Sequence, residues 1–173
     1  FGLAYRGNYD LTQHEKASGQ ELRYLDPETG EKVLPHVIEP SLGVDRALLA
    51  VLLSAYAEES VADGDVRVVL RLAPSIAPVQ VAVFPLLKNK TELVSKARGI
   101  YTELKKHFLT AWDDNGNVGK RYRRQDEIGT PYCITVDFDT LENDTVTVRD
   151  RDTMKQDRIA LAELKNYLSD KQA

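Results

Sequence analysis

The chain is poor in sulfur. Its 173 residues include one cysteine, Cys133, and one methionine. A single cysteine excludes an internal disulfide and a multi-cysteine metal centre, and it suits a reducing compartment. Only three histidines occur, His14, His36 and His107, and their separation shows no metal-ligand spacing. No apolar run approaches the roughly 18 residues that a membrane-crossing helix needs, and no signal-peptide pattern is visible. A cytoplasmic protein without a membrane partner is therefore expected. Positive charge is not in excess either: 23 Lys and Arg against 27 Asp and Glu leave a net charge of -4. A general polyanion binder is excluded, so any nucleic-acid contact has to be a local patch. Neither the Walker A pattern nor G-x-G-x-x-G occurs, and no nucleophile–base pair is evident. The chain opens on Phe1, without Met, in a sequence that already looks structured. A longer protein extending upstream is expected.

What is present reads as one or two globular domains. Residues 1–14 (FGLAYRGNYDLTQH) read as a strand end and loop. Residues 15–32 read as a hairpin loop around the turn signal Asp26-Pro27-Glu28-Thr29-Gly30. The β-branched run 32–39 (KVLPHVIE) predicts a strand, broken by Pro40-Ser41-Leu42-Gly43. Residues 45–56 (DRALLAVLLSAY) predict a helix with so little polar face that it should be buried. An acidic surface loop follows at 57–65, then a strand at 66–72 (VRVVLRL). The segment 73–78 (APSIAP) is the best linker, which divides the chain into 1–72 and 79–173.

Beyond the linker, strands and helices alternate. A strand at 79–86 precedes an amphipathic helix at 90–108, with Leu93, Ala97, Ile100, Tyr101, Leu104 and Phe108 on one face. A short strand at 110–113 and a turn at 114–117 lead to a basic helix at 118–128, stopped by Gly129 and Pro131. Strands are predicted at 132–138 and 145–149, with a polar loop at 139–144 between them. In the second strand Val146 and Val148 point inward and Thr145, Thr147 and Arg149 outward. A closing helix covers 159–168. The fold class is α/β (α+β overall), ending in a small domain with a mixed sheet.

Two constellations can carry chemistry. The first, Glu39 to Arg46, gathers a carboxylate, a hydroxyl and a guanidinium at a strand–helix junction. Arg46 in a first helical turn opposes the helix dipole. Either it meets a phosphate together with the helix N-terminus, or it simply reaches the surface or pairs with Glu39 or Asp45. The second is the stretch 119–153, with Lys120, Arg121, Arg123 and Arg124 followed by Arg149 to Asp152. Its cations can hold phosphates and its polar strand face can read unpaired bases. The competing reading is a solvated face paired with Asp126 and Glu127. His36, His107 and Cys133 have sufficient structural explanations.

The segment VIEPSLGVDRALLAVL resembles motif 3 of the class II aminoacyl-tRNA synthetases. DEIGTP, TVDFDTLE and TVTVRDRDTM resemble the anticodon-binding domain of one subgroup, the homodimeric glycyl-tRNA synthetases. The resemblance implies a remnant of the antiparallel class II catalytic sheet, followed by a three-layer α/β anticodon-binding domain. It implies that Arg6, Glu39, Pro40, Ser41, Leu42 and Gly43 line a glycine pocket. It further implies that Gly43, Val44, Asp45 and Arg46 face ATP, with Arg46 the catalytic contact to its phosphates, and that Arg121, Arg124, Arg149 and Arg151 contact the anticodon. The implied partners are tRNA(Gly), glycine, ATP with Mg²⁺, and a second subunit in the full enzyme, not DNA. No metal ligand is expected in this stretch. Leu42 and Tyr5 stand where the family commonly has Ala and Asn. Motifs 1 and 2 are absent, so the chain alone is expected to be inactive. The alternative is an RNA-binding accessory module of the same fold without catalysis, and a synthetase for threonine, proline or histidine is a third reading.

Overall fold

A computed structural model describes residues 1–61 and 64–172. The chain divides into two compact units, Phe1–Ala50 and Val51–Ala173.

In the first unit β1 (Gly2–Gly7) pairs antiparallel with β4 (Val37–Ser41), with Gly2 opposite Ser41 and Ala4 opposite Glu39. Between them lie α1 (Tyr9–Ser18) and the two-residue strands β2 (Tyr24–Leu25) and β3 (Lys32–Val33). The turn at Asp26 forms as expected: Gly30 N–H donates to the Asp26 carbonyl at 2.8 Å, and Gly30 takes φ +71°. Helix α1 replaces the predicted loop. It buries no residue, so it lacks the apolar stripe by which helices are recognised, and Gly19 closes it in the left-handed conformation. Pro40 does not stop β4, which runs on to Ser41. That strand pairs on one side only, and a one-sided strand tolerates the missing N–H.

Helix α2 (Val44–Ala55) carries the boundary between the units. Its expected burial is not realised: Leu49 is 57% and Leu53 70% exposed. In the first unit the sheet beside it has only two strands, too little surface to cover an all-apolar helix.

The second unit opens with the antiparallel hairpin of β5 (Tyr56–Ser60) and β6 (Val66–Leu70). The loop expected at 57–65 is thus strand through Ser60, and positions 62 and 63 of it lie outside the described residues. The expected linker is a packed corner. Pro74–Ile76 form a 3-10 turn, and Leu72 and Ala77 are buried against Ala55.

The main sheet has the order β11 (Gln156–Ala160), β10 (Thr145–Asp150), β9 (Tyr132–Val136), β7 (Val81–Pro85), β8 (Thr110–Trp112). β7 runs parallel to β8 and β9, and β10 antiparallel to β9 and β11, so the sheet is mixed. On one face Val81, Val83, Ile134, Val146 and Val148 meet α3 (Thr91–Leu104) and α6 (Leu161–Gln172) through Leu93, Ala97, Leu164 and Leu168. On the other, Ala82, Phe84 and Cys133 meet Val118 and Tyr122 of α4 (Val118–Ile128). Covered on both faces, β7 is buried at every position. The predicted loop at 139–144 is α5 (Phe138–Asn143), started by a capping box between Asp137 and Thr140. β11 was hidden in a polar stretch, an edge strand with little apolar alternation.

Gly129 ends α4 at φ +85°, and a Cβ there would lie 2.8 Å from Leu72 Cδ1 and 3.1 Å from the Leu70 carbonyl. Gly129→Ala is expected to destabilise the chain by about 2 kcal/mol or more, combining left-handed strain with overpacking. Urea unfolding measures it, and an unchanged midpoint would contradict the close approach.

Candidate functional site

The first constellation forms on β1 and β4. Arg6 lies where the β1–β4 register shifts, between Tyr5 and Gly7. Its Nε and Nη2 donate to the two carboxylate oxygens of Asp10 at 2.6 and 2.8 Å, and Nε lies 3.6 Å from Glu39 Oε2. Sequence reasoning did not pair Asp10 with Arg6. The hydrogen bond from Arg6 holds the Asp10 carboxyl below its usual value. Opposite Gly2, Ser41 approaches so closely that a Cβ on Gly2 would lie 2.9 Å from its hydroxyl. Ser41, Leu42, Gly43 and Arg46 line a recess of about 540 Å³ with Phe1, Gly2, Ala47 and Ala50. Val44 and Asp45 form the first turn of α2, with Val44 80% exposed. The ion-pair alternative for Arg46 does not form. Glu39 turns to Arg6, and among the described residues no acid engages Arg46. Pro40 pairs with Leu3 and holds the strand between Glu39 and Ser41. The arrangement offers a carboxylate and a hydroxyl on one strand and an unpaired guanidinium at a helix N-terminus beyond it. Such a set can bind a zwitterion beside a phosphate.

The basic stretch is mostly internal. Arg121 is 2% exposed and donates to the carbonyls of Pro85, Asp114 and Gly116. Burial pulls its pKa down. Arg149 makes a bidentate pair with Asp126, at 2.8 and 3.0 Å, and lies 4.8 Å over the Tyr122 ring. Arg151 donates to the Gly129 carbonyl at 2.8 Å and pairs with Asp152. Asp126, fully buried, also accepts from Arg67 Nε at 2.8 Å. Arg67 reaches Glu59 and the Arg151 carbonyl with its remaining nitrogens. Arg121, Arg149 and Arg151, which the resemblance places at an anticodon, thus direct donors to backbone carbonyls, to the buried Asp126 and to the exposed Asp152, while the buried Arg121 Nε has no partner among the described residues. The solvated-face pairing does not form at Asp126, which pairs inward across the fold. Of the expected set, Arg124 alone reaches the surface, bound to Asp113 at 2.7 Å and to the Asn115 carbonyl.

Sequence reasoning also missed a surface pair. Arg158 on β11 grips Asp137 with two nitrogens, at 2.5 and 2.8 Å, and donates to Thr145 and Thr147 at 2.8 and 3.0 Å. The partners are up to 21 positions apart, so no local spacing announces them. The hydrogen bond from Arg158, working against burial, holds the Asp137 carboxyl below its ordinary value of 3.8.

A three-layer α/β domain with a polar shelf on its sheet defines the class. Residues 80–171 match the family described as anticodon binding domain, and the chain belongs to that family. Over nearly its whole length it is also similar to particular proteins, each named glycine–tRNA ligase. It is 55% identical over 171 residues to that of Clostridium kluyveri, 56% to that of Lachnospira eligens and 54% to that of Mesoplasma florum. Each alignment covers 99% of this chain but 36 to 37% of the relative. The chain thus spans about a third of the length of the curated relatives it matches.

Removing the carboxylate in Asp126→Ala strands two buried guanidiniums, and a loss of about 3–5 kcal/mol is expected in urea unfolding. A loss below about 1 kcal/mol would contradict the central place of Asp126. The Arg158–Asp137 pair has its own signature. Because the folded carboxyl titrates below 3.8, the pair's stabilisation is complete above that value and disappears as pH falls through the lower folded value. The melting temperature of Asp137→Asn is expected to depend less on pH between about 5 and about 2 than that of the parent chain. Equal slopes would show that the pair contributes nothing.

Proposed function

We propose that this chain is part of a glycine–tRNA ligase. The whole protein would join glycine to the 3′ end of tRNA(Gly), with glycyl-adenylate as the intermediate. The observation that carries the reading is the 55% identity over 99% of the chain, which takes in both the β1–β4 constellation and the anticodon binding domain. In this reading residues 1–72 belong to the catalytic portion and 79–173 to the tRNA-binding portion. The hairpin β5–β6, numbered within 1–72, is packed inside the second unit, where Arg67 ties it to α4.

Each proposed role follows from the chemistry of the group. Glycine has no side chain to grip, so selection must use its ammonium and carboxylate and exclude larger molecules. Glu39 and Ser41 suit the ammonium, and Arg6, steadied by Asp10, suits the carboxylate. Arg46 and the N-terminus of α2 suit the ATP phosphates, where a fixed guanidinium stabilises charge that grows as pyrophosphate departs. The glycine carboxylate attacks the α-phosphorus, and the terminal ribose hydroxyl of tRNA then displaces AMP from the carbonyl. Positioning supplies most of the rate in such a reaction. The residues present do not make a Mg²⁺ site. Among the described residues no group of three potential ligands gathers, and Asp10 and Glu39 are turned to Arg6. A cytoplasmic location and a homodimeric whole enzyme belong to the same proposal, and no described helix is long and apolar enough to cross a membrane.

The 173-residue chain is expected to bind tRNA(Gly) transcript, and to bind a transcript with an altered anticodon more weakly. It is expected to give only background ATP–pyrophosphate exchange with glycine. Filter binding at several salt concentrations and an exchange assay check both. Failure to bind tRNA(Gly) at low salt would remove the tRNA role, and clear glycine-dependent exchange would show that the chain holds a complete adenylation site.

A further inference from the structure

One face of the main sheet is closed by α3 and α6. On the other, α4 covers the centre through Tyr122, whose ring meets Phe84 at 5.7 Å and whose hydroxyl bonds to Thr135, and touches β10 through the Asp126–Arg149 pair. Past Tyr122 this face continues over β10 and β11 as Thr145, Thr147 and Arg158, with Arg158 opposite Thr147 in the register. The two threonines are half-buried and Arg158 is exposed.

The guanidinium of Arg158 is fixed in an unusual way. Nε donates to Thr145 Oγ1, Nη1 to Thr147 Oγ1, and Nη1 and Nη2 together hold Asp137. Guanidinium N–H groups donate within the plane of the group. Three acceptor side chains around its rim therefore set that plane and leave its flat faces free of hydrogen bonds. A third of the side chain remains exposed, 33% against 7% for Arg149 and 3% for Arg151. A phosphate would need the in-plane donors. It would compete with Asp137, which is itself held by the Thr140 N–H and hydroxyl, and would meet the Asp139 carboxylate, 3.6 Å from Nη2. A planar base needs only the face.

We propose that Arg158 is a stacking platform for one unpaired base of the anticodon loop, with Asp137, Thr145 and Thr147 holding its plane and standing at the edge of that base. The inference rests on the proposed tRNA-binding reading and adds the residue that reads. Unpaired bases are splayed and stacked on guanidinium planes in sequence-specific RNA recognition, and one stacked base is worth roughly a 5- to 150-fold change in affinity.

The test uses the full chain and an anticodon stem-loop of tRNA(Gly), intact or with one anticodon nucleotide replaced by an abasic one. The parent chain is expected to lose about tenfold or more in affinity at one of the three positions. Arg158→Lys keeps the charge and can still pair with Asp137, but it has no plane. It is expected to bind the intact loop about tenfold more weakly with an unchanged salt slope, and to be indifferent to the abasic change at that same position. A melting curve like the parent's shows that the variant is folded. Equal losses at all three positions in both proteins, or a salt slope reduced in the variant, would overturn the platform and leave tRNA binding standing. No binding of the intact loop by the parent chain would overturn both.

Discussion

Everything in the larger unit turns on one carboxylate. Asp126, in the last turn of α4, is fully buried and accepts from Arg67 on β6 and Arg149 on β10. Two cations around one anion leave an excess positive charge, which Glu59 offsets on the Arg67 side. Arg67 then reaches the carbonyl of Arg151, and Arg151 reaches that of Gly129 at the end of α4. The circuit joins the hairpin, the helix cap and the sheet. Burying ions is costly unless every donor and acceptor is met, and here nearly all are. Its geometry rather than its Coulomb energy makes it useful: bidentate contacts at fixed angles set where α4 sits on the sheet.

The same circuit explains what the sequence hid. The strands and helices of the main sheet were legible because their apolar residues repeat every two or every three to four positions, as in Val146 and Val148 or Leu93, Ala97 and Leu104. The stop at Gly129 was legible because only glycine takes its backbone conformation without strain. The inward pairing of the basic stretch was not legible, because charge is ordinarily a surface property. Arg67 and Asp126 are 59 positions apart, and Arg67 and Arg151 84 apart. Contacts at that distance leave no periodic trace. Polar elements went unseen for a related reason: α1 and β11 bury few apolar groups, so nothing in their spacing marks a face.

Local chemistry survived better in the smaller unit. Glu39 and Ser41 were singled out with Arg46 at the strand–helix junction, and Arg6 through the family resemblance; the pairing of β1 with β4 places Arg6, Glu39 and Ser41 around one strand pair. The register shift beside Arg6 depends on which residues face one another across the strand pair, Tyr5 with Ile38 and Gly7 with Val37. The bond from Arg6 to Asp10 spans only four positions, and it went unread because the segment was taken for a loop rather than for the start of α1. The exposed leucines of α2 point the same way. A segment patterned for burial yet left open is consistent with a chain that spans a third of its relatives' length.

The division between internal and external charge bears on how such a domain meets RNA. Arg121, Arg149 and Arg151 are buried, Arg123 is tied to Asp65 and Arg124 to Asp113. Arginines neutralised in this way release few counterions on binding and supply little non-specific affinity. The groups gathered around Arg158, hydroxyls, a paired carboxylate and a flat guanidinium, offer contacts that need no net charge. For a protein carrying an overall charge of -4, this has a consequence. A strong positive patch would bind every tRNA through its phosphates, whereas a shelf of planar and hydrogen-bonding groups rewards only the loop whose bases fit it. The arginines of the sheet and hairpin instead hold the end of α4 against β6 and β10.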